Sequence, residues 1–276
     1  MIATESKRKR QKATESKRGT GTISFLLSIA FSGFLYPSVA IDNTDMRQPQ
    51  DNSSLSWLKS GWDAYMDMLP RLLPFLLALE VFKIPSLWLI HHFHTYTWSL
   101  IYSLLILTPV SLGLNLVYIK LHRRQSAGVR DFLRGFFIYP RSLAVSLSLG
   151  LLTLGGLIAF IVPGIILYLT YCLSEYALAD KNTGIKESFA LSARLTAASR
   201  GQLASVILLI VSIEILAPEI AGISGGFKNS DLKFDFKSWT MIGHALKDLV
   251  FLPWLNMSMA AAYNRLLRTL PRDDNS

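Results

Sequence analysis

The chain has 276 residues, 51% of them hydrophobic, with a mean hydropathy of +0.34 and a formal net charge of +9. Its apolar residues come in several separate runs of about 20 or more, which excludes an ordinary water-soluble globule. The positive charge does not mark a nucleic-acid partner. Lys and Arg fall between the apolar runs rather than on a basic face interleaved with aromatics, and no nucleic-acid motif is present.

Residues 1–20 are polar and basic, with "ATESKR" at 3–8 and again at 13–18. Such a tail buries too little apolar surface to order itself and reads as a disordered cytoplasmic tail. Residues 23–41, "ISFLLSIAFSGFLYPSVAI", follow it. A basic region, an apolar region and Ser38-Val39-Ala40 have the layout of a signal peptide. Residues 1–50 are therefore set apart as a tail with a signal-like, re-entrant or over-extended start, the last reading beginning at Met46.

Residues 53–69 carry Leu55, Leu58, Trp62, Tyr65 or Met66, and Leu69 at intervals of three and four. This predicts an amphipathic interfacial helix, capped by Ser53 or Ser54 and anchored by Trp57 and Trp62. Pro70 and Pro74 mark the bend into a first span near 72–90. The loop "HHFHTY" and a second span near 97–119 come next, then the basic connection "KLHRRQSAGVRDFLRGFFIYPR".

From Ser142 to Ala179 the only charged residue is Glu175. A helix of that length reaches roughly 57 Å, about twice the bilayer's hydrocarbon core. Pro163 and Gly164 interrupt it, so the run predicts a hairpin of two spans, 142–162 and 164–179, with Val162-Pro163-Gly164 at its tip. One long kinked helix is the alternative, but it leaves the surplus length unexplained. A polar connection, 180–201, has helical spacing through Ile185, Phe189, Ser192 and Leu195. The fifth span lies near 202–222. A Gly- and Lys-containing loop, 223–237, leads to a sixth near 239–262.

Charge bias orients these spans. The second-to-third and fourth-to-fifth connections and the end of the chain carry thirteen Lys and Arg, while the opposite side carries Lys228, Lys233 and Lys237 only. The positive-inside rule then places both ends of the core in the cytoplasm. The expected fold is all-α. It is an integral membrane bundle of six transmembrane helices plus the interfacial helix, spanning residues 51–268 and followed by a short polar tail, 269–276. A spanning or cleaved 23–41 would invert this core against its charges.

Several stretches, taken in order, resemble a known group: "PVSLGL" at the second span, "DFLRGF" before the third, then "IVPGIILYLTYCLSEYALAD" and "GIKESFALSARLT". The series, over residues 52–265, resembles bacterial multi-span membrane proteins related to the membrane domain of some glycerophosphodiester phosphodiesterases. Many such relatives stand alone, without an established function. No phosphodiesterase domain is found up to Ser276, so the resemblance implies a fold in the bacterial cytoplasmic membrane rather than a reaction.

Ionisable groups inside a bilayer are costly, and each raises a functional question. Glu80 lies near mid-span with Lys83 one turn later, a spacing that also suits a purely structural pair. Glu214 lies in the fifth span. Asp248 lies in the sixth, with His244 one turn earlier and Lys247 beside it. Counted from the outer ends, Glu214 and Asp248 match in depth to within a turn. They either share a polar patch, with one of them protonated or a cation such as His244 or Lys247 between them, or face different sides. The candidate intramembrane polar site is thus Glu80, Glu214, His244 and Asp248. Glu175 is read as reaching the interface. His91, His92 and His94 offer imidazoles. With no cysteine nearby they suit a polar, aromatic interface better, and no metal or other cofactor is expected. Cys172 is the only cysteine, which excludes an intrachain disulfide. No catalytic residues stand out: there is no Ser-His-Asp order, phosphate-cradling loop or paired-carboxylate signature.

Three functions follow. The first is a non-enzymatic scaffold or accessory protein bound to membrane lipid or another membrane protein. The second is a small transporter or lipid-handling protein using the intramembrane carboxylates. A membrane enzyme comes last.

Overall fold

The computed structural model describes residues 53–225 and 230–270. The basic tail, the 23–41 segment, Met46 and residues 271–276 lie outside the described residues. Almost all of what is described is helical. Four helices are long and apolar enough to cross a membrane, or five if one sharply bent pair counts as a single span.

Helix α1 runs unbroken from Ser54 to Phe93, and its N-cap Ser53 accepts a hydrogen bond from the amide of Ser56. The boundary expected at Pro70 is absent. The interfacial helix and the first span are one 40-residue helix, although Pro70, Pro74 and Pro85 lie inside it. Two features explain this. All three prolines lie on the exposed side of α1, and the apolar face of its first half, Trp57, Tyr65, Leu72 and Leu76, is buried in the bundle core. Packing therefore holds the segment where three lost backbone hydrogen bonds would weaken it.

The second predicted span is helix α2, Tyr96–Tyr102, a π-helical turn, Ser103–Leu107, and helix α3, Thr108–His122, in one rod. Almost every residue of α3 from Pro109 to Leu121 is buried, so it lies at the bundle's centre. Short helices α4, Val129–Phe132, and α5, Arg134–Phe137, carry the basic connection.

Helices α6, Tyr139–Ala159, and α7, Ile161–Tyr171, form the expected hairpin, with its tip shifted. The chain reverses at Phe160, whose backbone is extended, and Pro163 and Gly164 fall in the first turn of α7. Proline suits that turn because its missing amide has no intrahelical partner there. Gly164 works through closeness instead. A side chain on Gly156 would sit 2.8 Å from the Gly164 Cα, so the two arms touch backbone to backbone.

Helix α8, Ser174–Lys181, continues the second arm. Helix α9, Ile185–Thr196, then meets α10, Arg200–Leu216, at 105°. The loop expected at 223–237 holds the one departure from an all-α chain among the described residues. Strands β1, Ala221–Gly225, and β2, Ser230–Phe234, pair antiparallel from Ala221↔Phe234 to Gly225↔Ser230. The amide of Ser230 donates to the His94 carbonyl and ties β2 to the end of α1.

Helix α11, Ser238–Leu246, a second π-helical turn, Lys247–Phe251, and helix α12, Leu252–Thr269, make the last rod. Helix α12 packs along α1, α3 and α10, with eleven residues buried from Pro253 to Leu266. The bundle thus has two unlike ends. The end bearing Arg123 and Asp180 is densely packed. The β-hairpin end exposes apolar side chains, among them Leu151, Ile158 and Phe160 on α6–α7, Ile215 and Leu216 on α10, and Trp239 on α11.

Candidate functional site

All four predicted site residues, Glu80, Glu214, His244 and Asp248, fall in one charged network. Lys83, Glu219 and Lys247 complete it. Each arrives for a local reason. Glu80 and Lys83 are one turn apart on α1, where Lys83 Nζ donates to Glu80 Oε1 at 2.7 Å. Helix α10 ends at Leu216 because Ala217 precedes Pro218, which favours an extended backbone; Ala217 has φ −73° and ψ 141°. The fifth span is consequently shorter than 202–222. Glu214 stays on the last turn of α10, and Glu219 is carried back over α11. Gly243 permits that return, because a Cβ there would fall on the ring of Pro218.

The π-helical turn sets the remaining two groups. Lys247 and Asp248 are consecutive, yet both side chains are buried, at 5% and 8% exposure. Lys247 Nζ lies 3.7 Å from Asp248 Oδ1 and 3.5 Å from Glu214 Oε2, and it donates to Glu219 Oε1. Such single π turns recur at functional sites because they re-aim side chains without ending the helix. The Tyr65 hydroxyl braces the turn by donating to the Leu249 carbonyl at 2.6 Å.

Asp248 is the hub. Its Oδ2 lies 3.3 Å from His244 Nε2 and 3.9 Å from Lys83 Nζ. His244 Nδ1 faces Glu219 Oε2 at 3.2 Å, out of line for a hydrogen bond. Lys247 therefore lies between Glu214 and Asp248. In total the network joins four carboxylates to two ammonium groups and one imidazole. Burial makes an unmatched charge costly. Asp248 is the buried carboxylate, at 8% exposure, while Glu80, Glu214 and Glu219 are 35%, 49% and 45% exposed, and the surplus of carboxylate over ammonium favours a further cation. The Glu80, His244 and Asp248 ligand atoms all lie within 4.8 Å of one another, and no other such trio of His, Cys, Asp or Glu occurs among the described residues.

Glu219 is the member that sequence reasoning missed. It lay inside the predicted fifth span, so the rule that flagged Glu214 applied to it equally. Two further expectations change. Glu175, read as reaching the interface, is turned inward. It turns between α3 and α6, accepting hydrogen bonds from Ser146 at 2.5 Å and Asn115 at 3.5 Å. His91 and His92 stand exposed in the last turn of α1 and His94 is its C-cap, so the expected loop is partly helix; His92 stacks on Trp88 with ring centroids 5.0 Å apart.

The opposite end of the bundle is fastened by a separate network. Arg123 binds Asp180 through both terminal nitrogens and donates from Nε to Asn264 at 2.7 Å. Asn264 in turn contacts His122 at 3.0 Å, and His122 contacts Ser60 at 3.2 Å. The ends of α3, α8 and α12 and the start of α1 are thereby joined. Beside them lies a cleft of about 380 Å³, lined by Lys59, Asp63, Asp67, Arg124 and Arg265 among others.

No protein-family model, curated protein or solved structure matches this chain.

Proposed function

We propose that this chain is a six-span membrane protein, with both ends of its core in the cytoplasm, that binds and passes a cation through the carboxylate network. The single observation carrying this reading is the assembly of four carboxylates on two ammonium groups at the middle of α1, where α10 and α11 converge. Charge at that depth is expensive and is retained chiefly where ions or protons move. The excess is negative, so the site selects a cation.

The sixth span in this reading is the rod from Ser238 to Thr269. Its second half, α12, is less apolar than the other spans because it sits inside the bundle against α1, α3 and α10, while α11 leaves Trp239 and Ile242 exposed. The thirteen-to-three bias of basic residues supports the orientation, placing Arg123 and Asp180 inside and the β-hairpin outside. The first turns of α1, with Trp57 and Trp62, then lie at the cytoplasmic interface. The resemblance to the membrane domain of some glycerophosphodiester phosphodiesterases supports the bundle and adds no reaction.

A second reading, a scaffold that engages lipid or another membrane protein, is favoured by the α6–α7 hairpin. Ile158 and Phe160 at its tip are 78% and 74% exposed, more than the bundle's own packing requires. Reconstitution separates the two. Liposomes containing the chain are given gradients of H⁺, Na⁺, K⁺, Mg²⁺ and Zn²⁺ in turn. Flux of at least one cation, lost in the double variant E214Q/D248N, is expected. No flux above empty liposomes for any of them would remove the transport reading and leave the scaffold.

A further inference from the structure

We propose that Glu80, His244 and Asp248 form a binding site for a divalent first-row metal ion of the zinc type, with Lys83 as a tethered cation that holds the place when the metal is absent. This rests on the cation reading above and names the class of ion. Three observations carry it. First, the donor set is one imidazole and two carboxylates, drawn from α1, α11 and the π-helical turn. Imidazole favours zinc, cobalt, nickel and iron over magnesium and calcium, which take oxygen donors. Second, the spacing is close to what such an ion requires. At metal–ligand bonds of about 2.0–2.1 Å, neighbouring tetrahedral ligands lie about 3.3 Å apart. His244 Nε2 and Asp248 Oδ2 already lie at 3.3 Å, and Glu80 closes the trio within 4.8 Å. A tetrahedral ion bound by three protein ligands keeps a fourth position open for water or a passing ligand.

The third observation is the group behind the imidazole. Glu219 Oε2 sits 3.2 Å from His244 Nδ1, on the far side of the ring from Asp248. A small rotation of the ring completes an Nδ1–H···carboxylate hydrogen bond. That bond fixes Nε2 as the unprotonated nitrogen facing the site and raises its basicity, the arrangement that orients metal-bound histidines generally. The return of the chain at Pro218, permitted by Gly243, is what places Glu219 there.

Lys83 sits where the ion goes. Its ammonium is 2.7 Å from Glu80 and 3.9 Å from Asp248, and its side chain is 39% exposed against 5% for Lys247, so of the two lysines it is the less tightly enclosed. The metal and the Lys83 ammonium therefore exclude one another. Lys247, buried against Glu214 and Glu219, stays in place as the partner of those two carboxylates.

The test is equilibrium binding to the full chain, purified in mild detergent and stripped with chelator. Co²⁺ serves as the spectroscopic probe and Zn²⁺ as its competitor. Wild type is expected to bind one Co²⁺ with the visible bands of a four-coordinate site, displaced by Zn²⁺. H244A and D248N weaken binding by more than tenfold, and E219Q by about tenfold, the usual effect of removing a histidine's orienting partner. K83Q tightens it by about tenfold, a gain that a misfolded protein cannot give. A triple H91A/H92A/H94A variant binds as wild type. Binding that survives H244A, or disappears in the triple variant, overturns the site. K83Q binding no more tightly than wild type overturns the role of Lys83. If neither metal binds while liposomes show flux of another cation, the assignment to a transition metal falls and the cation reading stands. If metal binds without flux of any ion, the reverse holds.

Discussion

Arg123 and Asp180 face one another across the ends of α3 and α8, joined by two parallel hydrogen bonds of 2.6 and 2.9 Å. The Tyr263 hydroxyl adds a third bond to the carboxylate at 3.1 Å, and Asn264 holds Arg123 from the other side. Asp180 is only 8% exposed, so removing its partner strands a buried charge. R123M is therefore expected to cost about 3 kcal/mol, while R123M/D180L recovers much of that loss, because a buried pair replaced by apolar groups is often neutral. Unfolding by SDS titration in mixed micelles measures both. Equal losses in the single and double variants would show that the pair is not a coupled unit.

The two lysines of the carboxylate network differ in burial, and their loss differs accordingly. Lys247 is 5% exposed and serves Glu214, Glu219 and Asp248, whereas Lys83 is 39% exposed and serves chiefly Glu80. K247M is expected to destabilise by about 3 kcal/mol or more through unpaired carboxylates. K83M costs less, because it removes the partner of Glu80 alone while Asp248 keeps His244 and Lys247 beside it. The same titration ranks them, and a K83M loss as large as that of K247M would contradict the geometry.

Acid sensitivity arises in the connection after α3. Burial pushes the Asp131 carboxyl upward, but the Lys120 ammonium at 2.6 Å and the Gly128 amide at 3.0 Å outweigh it, so the net displacement is below the usual carboxylate value. A depressed folded value means that the stabilisation is fully present above the unfolded value of about 3.9 and is lost as pH falls through the folded one. D131N is expected to remove that contribution at neutral pH and to flatten the stability curve below about pH 4. Thermal unfolding of both proteins between pH 7 and pH 3 checks it. Parallel curves would refute the assignment.

Orientation is accessible to labelling. In a C172S background, single cysteines replacing Gln125, Thr183 or Asn229 are treated with an impermeant thiol reagent on intact cells. Asn229 in the β-hairpin connection is expected to react, and the other two only after lysis, following the bias of basic residues. Reaction of positions 125 and 183 from outside would invert the bundle.

Length and hydropathy alone determined that this chain carries membrane-length helices, and roughly where they run. An apolar run near 20 residues has one satisfactory conformation in lipid, the helix, because every backbone polar group must be paired internally. The doubling of length between Ser142 and Ala179 likewise favoured a hairpin over one long kinked helix. The ionisable residues within these runs were also legible. Glu80, Glu214, His244 and Asp248 stood out because nothing about a span requires them.

What the sequence left undecided depended on distances between segments. Pro70 and Pro74 read as a boundary, yet α1 continues, because burial of Trp57 and Tyr65 against the bundle outweighs the hydrogen bonds lost at the prolines. Pro163 and Gly164 read as the hairpin tip, but the reversal falls at Phe160, since proline in a first helical turn starts a helix as readily as it ends one. Equal depth along neighbouring spans also left open whether Glu214 and Asp248 share one site or face apart. The π-helical turn at Lys247 and the close approach of Pro218 to Gly243 decided that, and both arise only when the helices pack.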